Sequence, residues 1–163
     1  MALSSTTSIN APIADIIAAA ASRDVAEALA AKAKGTLIDH SVTGDADSPT
    51  VTMTVAVPTE QLPAAVKKFI KNGLNVTITE NWSDASGGDA AQAELTARVS
   101  GVPVAFAGTE KLTTENNSTT MGVTGEVTSS IPFLGPKIAQ QAEPLVGKIL
   151  TIRANAISAH ISQ

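Results

Sequence analysis

The last third of the chain decides what the rest must do. From Met121 to Ile131 apolar or small residues alternate with polar ones, then a linker follows, Pro132-Phe-Leu-Gly-Pro136. After it, Ile138, Ala142, Leu145, Ile149, Ile152 and Ala156 recur at alternating four- and three-residue spacing, flanked by Val146, Leu150 and Ile157. That spacing marks one face of a helix. Lys137, Gln140, Gln141, Lys148, Arg153 and Asn155 fall mostly off this stripe. A helix of ~24 residues is ~36 Å long and cannot bury its apolar face against itself. The preceding segments must therefore wrap it. Pro144 predicts a bend in this helix, and Gly147 a close approach.

Those segments read mostly as strands. Val51, Met53, Val55 and Val57 alternate with polar or small residues, and Leu74, Val76, Ile78, Glu80 and Trp82 form one face of a second run. Ala91, Ala93, Leu95, Ala97 and Val99 follow, then Val104, Phe106, Gly108, Glu110 and Leu112, then Met121, Val123, Gly125 and Val127. A period of two means one buried face and one wet face per strand. Leu3 to Ile9 and Thr36 to Thr43 add two more, for roughly seven. Gly108 and Gly125, mid-strand, predict bulges or sharp bends. Two short helices are expected between Pro12 and Lys34: one starting near Asn10-Ala-Pro12, one capped by Ser22 and closed by Gly35. Leu62, Val66, Phe69 and Ile70 suggest another helix, from Thr59 to Lys71. The expected architecture is α+β: a curved antiparallel sheet around a long C-terminal helix, in one domain spanning residues 1–163.

Composition narrows the function. Apolar residues make up 44% of the chain, mostly Ala, Val, Ile and Leu, while aromatics are confined to Phe69, Trp82, Phe106 and Phe133. Small inward side chains either draw the layers very close or leave a cavity. The net charge of −4 opposes nucleic-acid binding, which needs a basic footprint. With no cysteine, thiolate metal sites and disulfides are excluded. His40 and His160 stand far apart, and no metal-ligand spacing, nucleophile elbow or phosphate loop is present. No cofactor is expected. The opening residues lack the pattern of a signal peptide, and no apolar run approaches the ~20 residues of a membrane span, so a cytoplasmic protein is expected.

Four stretches carry a resemblance: Val57-Pro-Thr-Glu-Gln-Leu-Pro63, Thr79-Glu-Asn-Trp82, Gly125-Glu-Val-Thr-Ser-Ser-Ile-Pro132 and Leu134-Gly-Pro-Lys-Ile138. Over about residues 50–150 they resemble the actinobacterial family DUF2505. The element order resembles the helix-grip fold of the START/Bet v 1-like (SRPBCC) superfamily. That resemblance implies a cavity between sheet and helix for a lipid or other apolar molecule, and some superfamily members are cyclases or hydrolases. Glu110 departs from it, standing where an apolar residue is expected.

The candidate lining is Met53, Val55, Ile78, Leu95, Ala97, Phe106, Met121, Val123, Leu145, Ile149 and Ile152. Glu80 and Glu110 share the inward parity. Each is either a polar anchor or acid/base group in an apolar cavity, or a carboxylate that reaches water or is satisfied by a Lys or Arg. The second is the ordinary outcome, because an unpaired buried charge is costly. Trp82 either closes the core at a strand end or lines the cavity with its N–H toward a ligand. Asp39 shares the parity of Leu37. Lys67, Lys68 and Lys71 flank Phe69 and Ile70, and are either a solvated face or a contact for an anionic membrane surface. The expected function is non-enzymatic binding of an apolar small molecule or lipid. The alternatives are a cyclase/hydrolase-type enzyme using a cavity carboxylate, and a protein-interaction module with a filled core.

Overall fold

The computed structural model describes residues 2–45, 48–61, 64–67, 73–83, 89–100 and 103–162. Its strands are β1 Ala2–Ile9, β2 Thr36–Asp45, β3 Ser48–Val57, β4 Leu74–Ser83, β5 Ala90–Val99, β6 Val104–Glu115 and β7 Ser118–Ser129. Its helices are α1 Ile13–Ala20, α2 Arg23–Lys32, α3 Ala64–Lys67 and α4 Gly135–Ile161. The strands form one seven-stranded sheet in the order β1-β7-β6-β5-β4-β3-β2. Every pairing is antiparallel. The sheet curves around α4, which runs 27 residues and packs on β7, β1, β6 and all three shorter helices. This is a helix-grip fold.

Register turns strand parity into rows across the inner face. One row joins Met53, Ile78, Ala97, Phe106 and Val127. The next joins Val51, Glu80, Leu95, Gly108, Gly125 and Leu3. The third joins Trp82, Ala93, Glu110, Val123 and Ser5. Gly108 and Gly125 face each other with no register shift, so the expected bulges are absent there. Their role is space. A Cβ on Gly125 would sit 2.7 Å from Cα of Gly108 and 2.7 Å from Cζ of Phe106. The phenyl ring lies over the glycine pair, where no other residue fits.

The interior divides into two apolar clusters. One gathers Met53, Val55, Ile78, Leu95, Phe106, Val123, Ile138, Ala142 and Leu150 between sheet and α4. The other gathers Ile9, Ile16, Val51, Trp82, Ala91, Ala93, Leu112, Met121, Ala154 and Ile157 around α1. The rows that carry Glu80 and Glu110 run along the border between them.

Several local expectations need correction. α1 begins at Ile13 with Pro12 as its cap, and no side chain caps it. Ser22 does cap α2, its Oγ accepting from the Asp24 amide at 3.1 Å. The left-handed residue after α2 is Lys34, at φ +58°, rather than Gly35. Gly35 is required for another reason: a Cβ there would collide with the backbone carbonyl of Ala56. A register shift between Leu37 and Asp39 breaks the parity of β2, and Asp39 is exposed. Of the helix expected from Thr59 to Lys71, a 3-10 turn at Thr59–Gln61 and α3 are described. Leu62, Lys68, Phe69, Ile70 and Lys71 lie outside the described residues. No helix among the described residues is long and apolar enough to cross a membrane.

Candidate functional site

Between β4–β6 and the middle of α4 lies a cavity of about 70 Å3. Leu74, Val76, Ile78, Leu95, Ala97, Val99, Val104, Ala105 and Phe106 form its sheet wall, and Ala142, Leu145, Val146, Ile149, Leu150 and Arg153 its helix wall. The cavity follows from side-chain size. Ala97 stands beside Phe106, and Ala142 lines the cavity from the helix, so the layers are held apart by larger neighbours on either side. Arg153 is the one charged residue of the wall among the described residues.

Arg153 is 3% exposed. Its Nη1 donates to Oε2 of Glu110 at 2.6 Å and its Nη2 to Oε1 of Glu110 at 3.2 Å, a bidentate pair. Nη2 also contacts Oε1 of Glu80. Glu80 is 2% and Glu110 0% exposed. The carboxylates come from β4 and β6, about 10 Å apart at the usual strand spacing. β5 runs between them and offers only Ala93 in the row of Glu110. A planar guanidinium suits two acids across such a gap, having five N–H donors in a fixed fork.

One cation against two acids leaves a net negative charge in the core if both are ionised. Burial disfavours that state. It pushes the Glu110 carboxyl up to about 8 and lowers the Arg153 guanidinium to about 10. Holding one proton makes the three side chains neutral together.

Ile78, Leu95, Ala97, Phe106, Leu145 and Ile149, expected as lining residues, meet at this cavity. Met53, Val55 and Val123 pack in the same apolar cluster without reaching its wall. Met121 and Trp82 belong to the other cluster, and Trp82 closes the core with its ring buried. Its Nε1 has no hydrogen-bond partner among the described residues. Ile152 lines a separate groove of about 430 Å3 between α2 and α4, with Asp24, Lys32 and His160. Glu80 and Glu110 are behind Arg153 rather than on the wall. Lys67 is exposed on α3.

Arg153 is the residue that sequence reasoning misplaced. The buried face of α4 turns through Leu150, Arg153 and Ile157, while Leu145, Ile149, Ile152 and Ala156 are only half-buried. Arg153 lies three residues after Leu150 and four before Ile157, which is helical spacing. Two inward carboxylates needed a cation, and this position supplies it. Among the described residues no group of His, Asp or Glu is arranged to hold a metal ion.

The family model described as "Protein of unknown function (DUF2505)" matches residues 4–161. The chain belongs to the DUF2505 family. This match extends the resemblance through the N-terminal third, where sequence motifs were lacking. No curated protein matches the DUF2505 chain in sequence. Among solved structures it is similar to the Zhui aromatase/cyclase from Streptomyces sp. R1128, at 10% identity and TM-score 0.64, covering 99% of this chain and 93% of that one. It is similar to a START superfamily protein from Mycobacterium smegmatis, at 14% identity and TM-score 0.52, covering 99% and 97%. It is also similar to norcoclaurine synthase from Thalictrum flavum, solved with dopamine and hydroxybenzaldehyde, at 18% identity and TM-score 0.53, covering 99% and 86%. At such identities the likeness is one of fold, and the fold is START/Bet v 1-like.

Proposed function

We propose that this DUF2505 chain binds an apolar small molecule or lipid between its sheet and α4, without catalysing a reaction on it. The observation that carries this reading is the cavity wall, apolar among the described residues except for Arg153. Burial of apolar ligand surface supplies about 25 cal/mol per Å2. Arg153 meets the guest with its apolar stem, its guanidinium being held by Glu110 and Glu80.

Room for the guest comes from α4. Pockets for drug-sized ligands measure about 300–1,000 Å3, against about 70 Å3 here, so a long chain enters only as the helix lifts. The segment over the cavity is the part of α4 suited to that. Leu145, Val146 and Ile149 are half-buried, and Pro144 within the helix removes one backbone donor.

The cyclase or hydrolase reading calls for a carboxylate on the wall. Both candidate acids are instead engaged by Arg153, which favours the binding reading. The test is titration with an apolar fluorescent dye, comparing the protein with Ala97→Phe, which fills the cavity. The expected result is saturable enhancement with one site, lost in the variant. No enhancement in either protein, or equal enhancement in both, overturns the reading.

A further inference from the structure

The linker between β7 and α4 holds a feature that packing does not explain. Phe133 is 103% exposed and sits at φ +65°. A bulky residue rarely adopts that left-handed conformation, which persists only where the surroundings impose it. Leu134 beside it is 45% exposed. The base of the loop is pinned. The Ser130 amide donates to the carbonyl of Pro103 at 3.1 Å, and a Cβ on Gly135 would sit 2.7 Å from the Ser129 carbonyl oxygen. Pro132 and Pro136 restrict the chain on either side. Single exposed apolar residues are ordinary. An adjacent pair projected by a braced turn, its aromatic member strained and wholly in solvent, is not.

Position and charge say what the tip suits. It lies at the end of the sheet where β5 and β7 finish and β4 and β6 begin, the end at which Leu74, Val99 and Val104 line the cavity. The exposed charged residues described at this end are Lys34, Lys67, Arg98 and Lys137 against Glu60, with Glu126 further back on β7. The chain as a whole carries −4. A cationic end on an acidic protein, with an aromatic at its tip, complements an anionic bilayer surface, where aromatics sit at headgroup level and each nearby Lys or Arg adds attraction.

We infer that the Phe133–Leu134 tip inserts into the surface of an anionic phospholipid bilayer and sets the outer end of the cavity against it. This goes beyond the cavity reading and does not depend on it. The experiment is co-sedimentation with vesicles of phosphatidylcholine alone and of phosphatidylcholine containing one third phosphatidylglycerol. Binding to the anionic vesicles is expected, weakened by salt and reduced about tenfold or more by Phe133→Ser. Phe133→Trp keeps it, with a blue-shifted emission on vesicle addition. The Ser variant retains dye binding in the cavity, which separates loss of docking from loss of the guest site. Absence of binding to anionic vesicles overturns the inference, as does binding that Phe133→Ser leaves unchanged. Concentration-dependent dimerisation abolished by the Ser variant, without vesicle binding, assigns the tip to a second copy and also overturns it.

Discussion

Replacing Arg153 by Met removes the guanidinium while keeping most of the apolar stem. Two carboxyl groups, 2% and 0% exposed, then lose their cation. Breaking a buried ion pair from one side costs about 3–5 kcal/mol. A second route gives the same scale. The carboxylate that Arg153 had balanced escapes by taking a proton, and for an acid of ordinary pKa near 4.3 this costs about 1.4 kcal/mol per pH unit, or about 3.7 kcal/mol at pH 7. At pH 5 the same step costs only about 1 kcal/mol. The loss of stability should therefore be large at neutral pH and shrink on acidification. Urea unfolding followed by fluorescence of Trp82, the single tryptophan, measures it at both pH values. Adding Glu110→Gln to the Met variant should recover part of the loss, since coupled residues are not additive. A penalty under about 1 kcal/mol at pH 7, or one independent of pH, would refute the reasoning.

Glu110 itself makes stability depend on pH with a definite sign. In the fold it keeps its proton up to about pH 8, whereas its ordinary value is 4.5. The folded state binds more protons in that window, so this group's contribution falls as pH rises from 4.5 to 8 and is flat above. Unfolding curves of the protein and Glu110→Gln across this range should diverge with that slope, and parallel curves would contradict it. Gly125→Ala forces a Cβ against Gly108 Cα and the Phe106 ring and should cost about 1–3 kcal/mol in thermal or urea unfolding, since neither the backbone nor the ring can yield freely.

Much of the fold was legible because strand parity and helix period are local. Val51 to Val57 and Leu74 to Trp82 declared their inward faces, and Ser22 declared the start of α2. The misses have physical causes. Leu145, Ile149 and Ile152 trace one stripe on α4, but at 3.6 residues per turn the buried face moves to Leu150, Arg153 and Ile157, and an arginine ordinarily faces water. Gly108 and Gly125 were legible as special yet not as a seat for Phe106, since that depends on cross-strand register. Pro132-Phe-Leu-Gly-Pro136 read as a linker because exposure of Phe133 is decided by how the base of the turn is braced. Cavity volume was out of reach. It is the small remainder between sheet curvature and the summed size of side chains such as Ala97 and Ala142, and no local pattern encodes it.

The claim on which the account depends is that a guest occupies the space between the sheet and the middle of α4. Methyl NMR during titration with a small apolar guest, such as benzene or a medium-chain alkane, tests it directly. Saturable shifts are expected, concentrated on methyls of Ile78, Leu95, Leu145 and Ile149, with those of Ile16 and Leu112 in the other cluster unmoved. Shifts spread evenly over both clusters, or none at saturating guest, would contradict it.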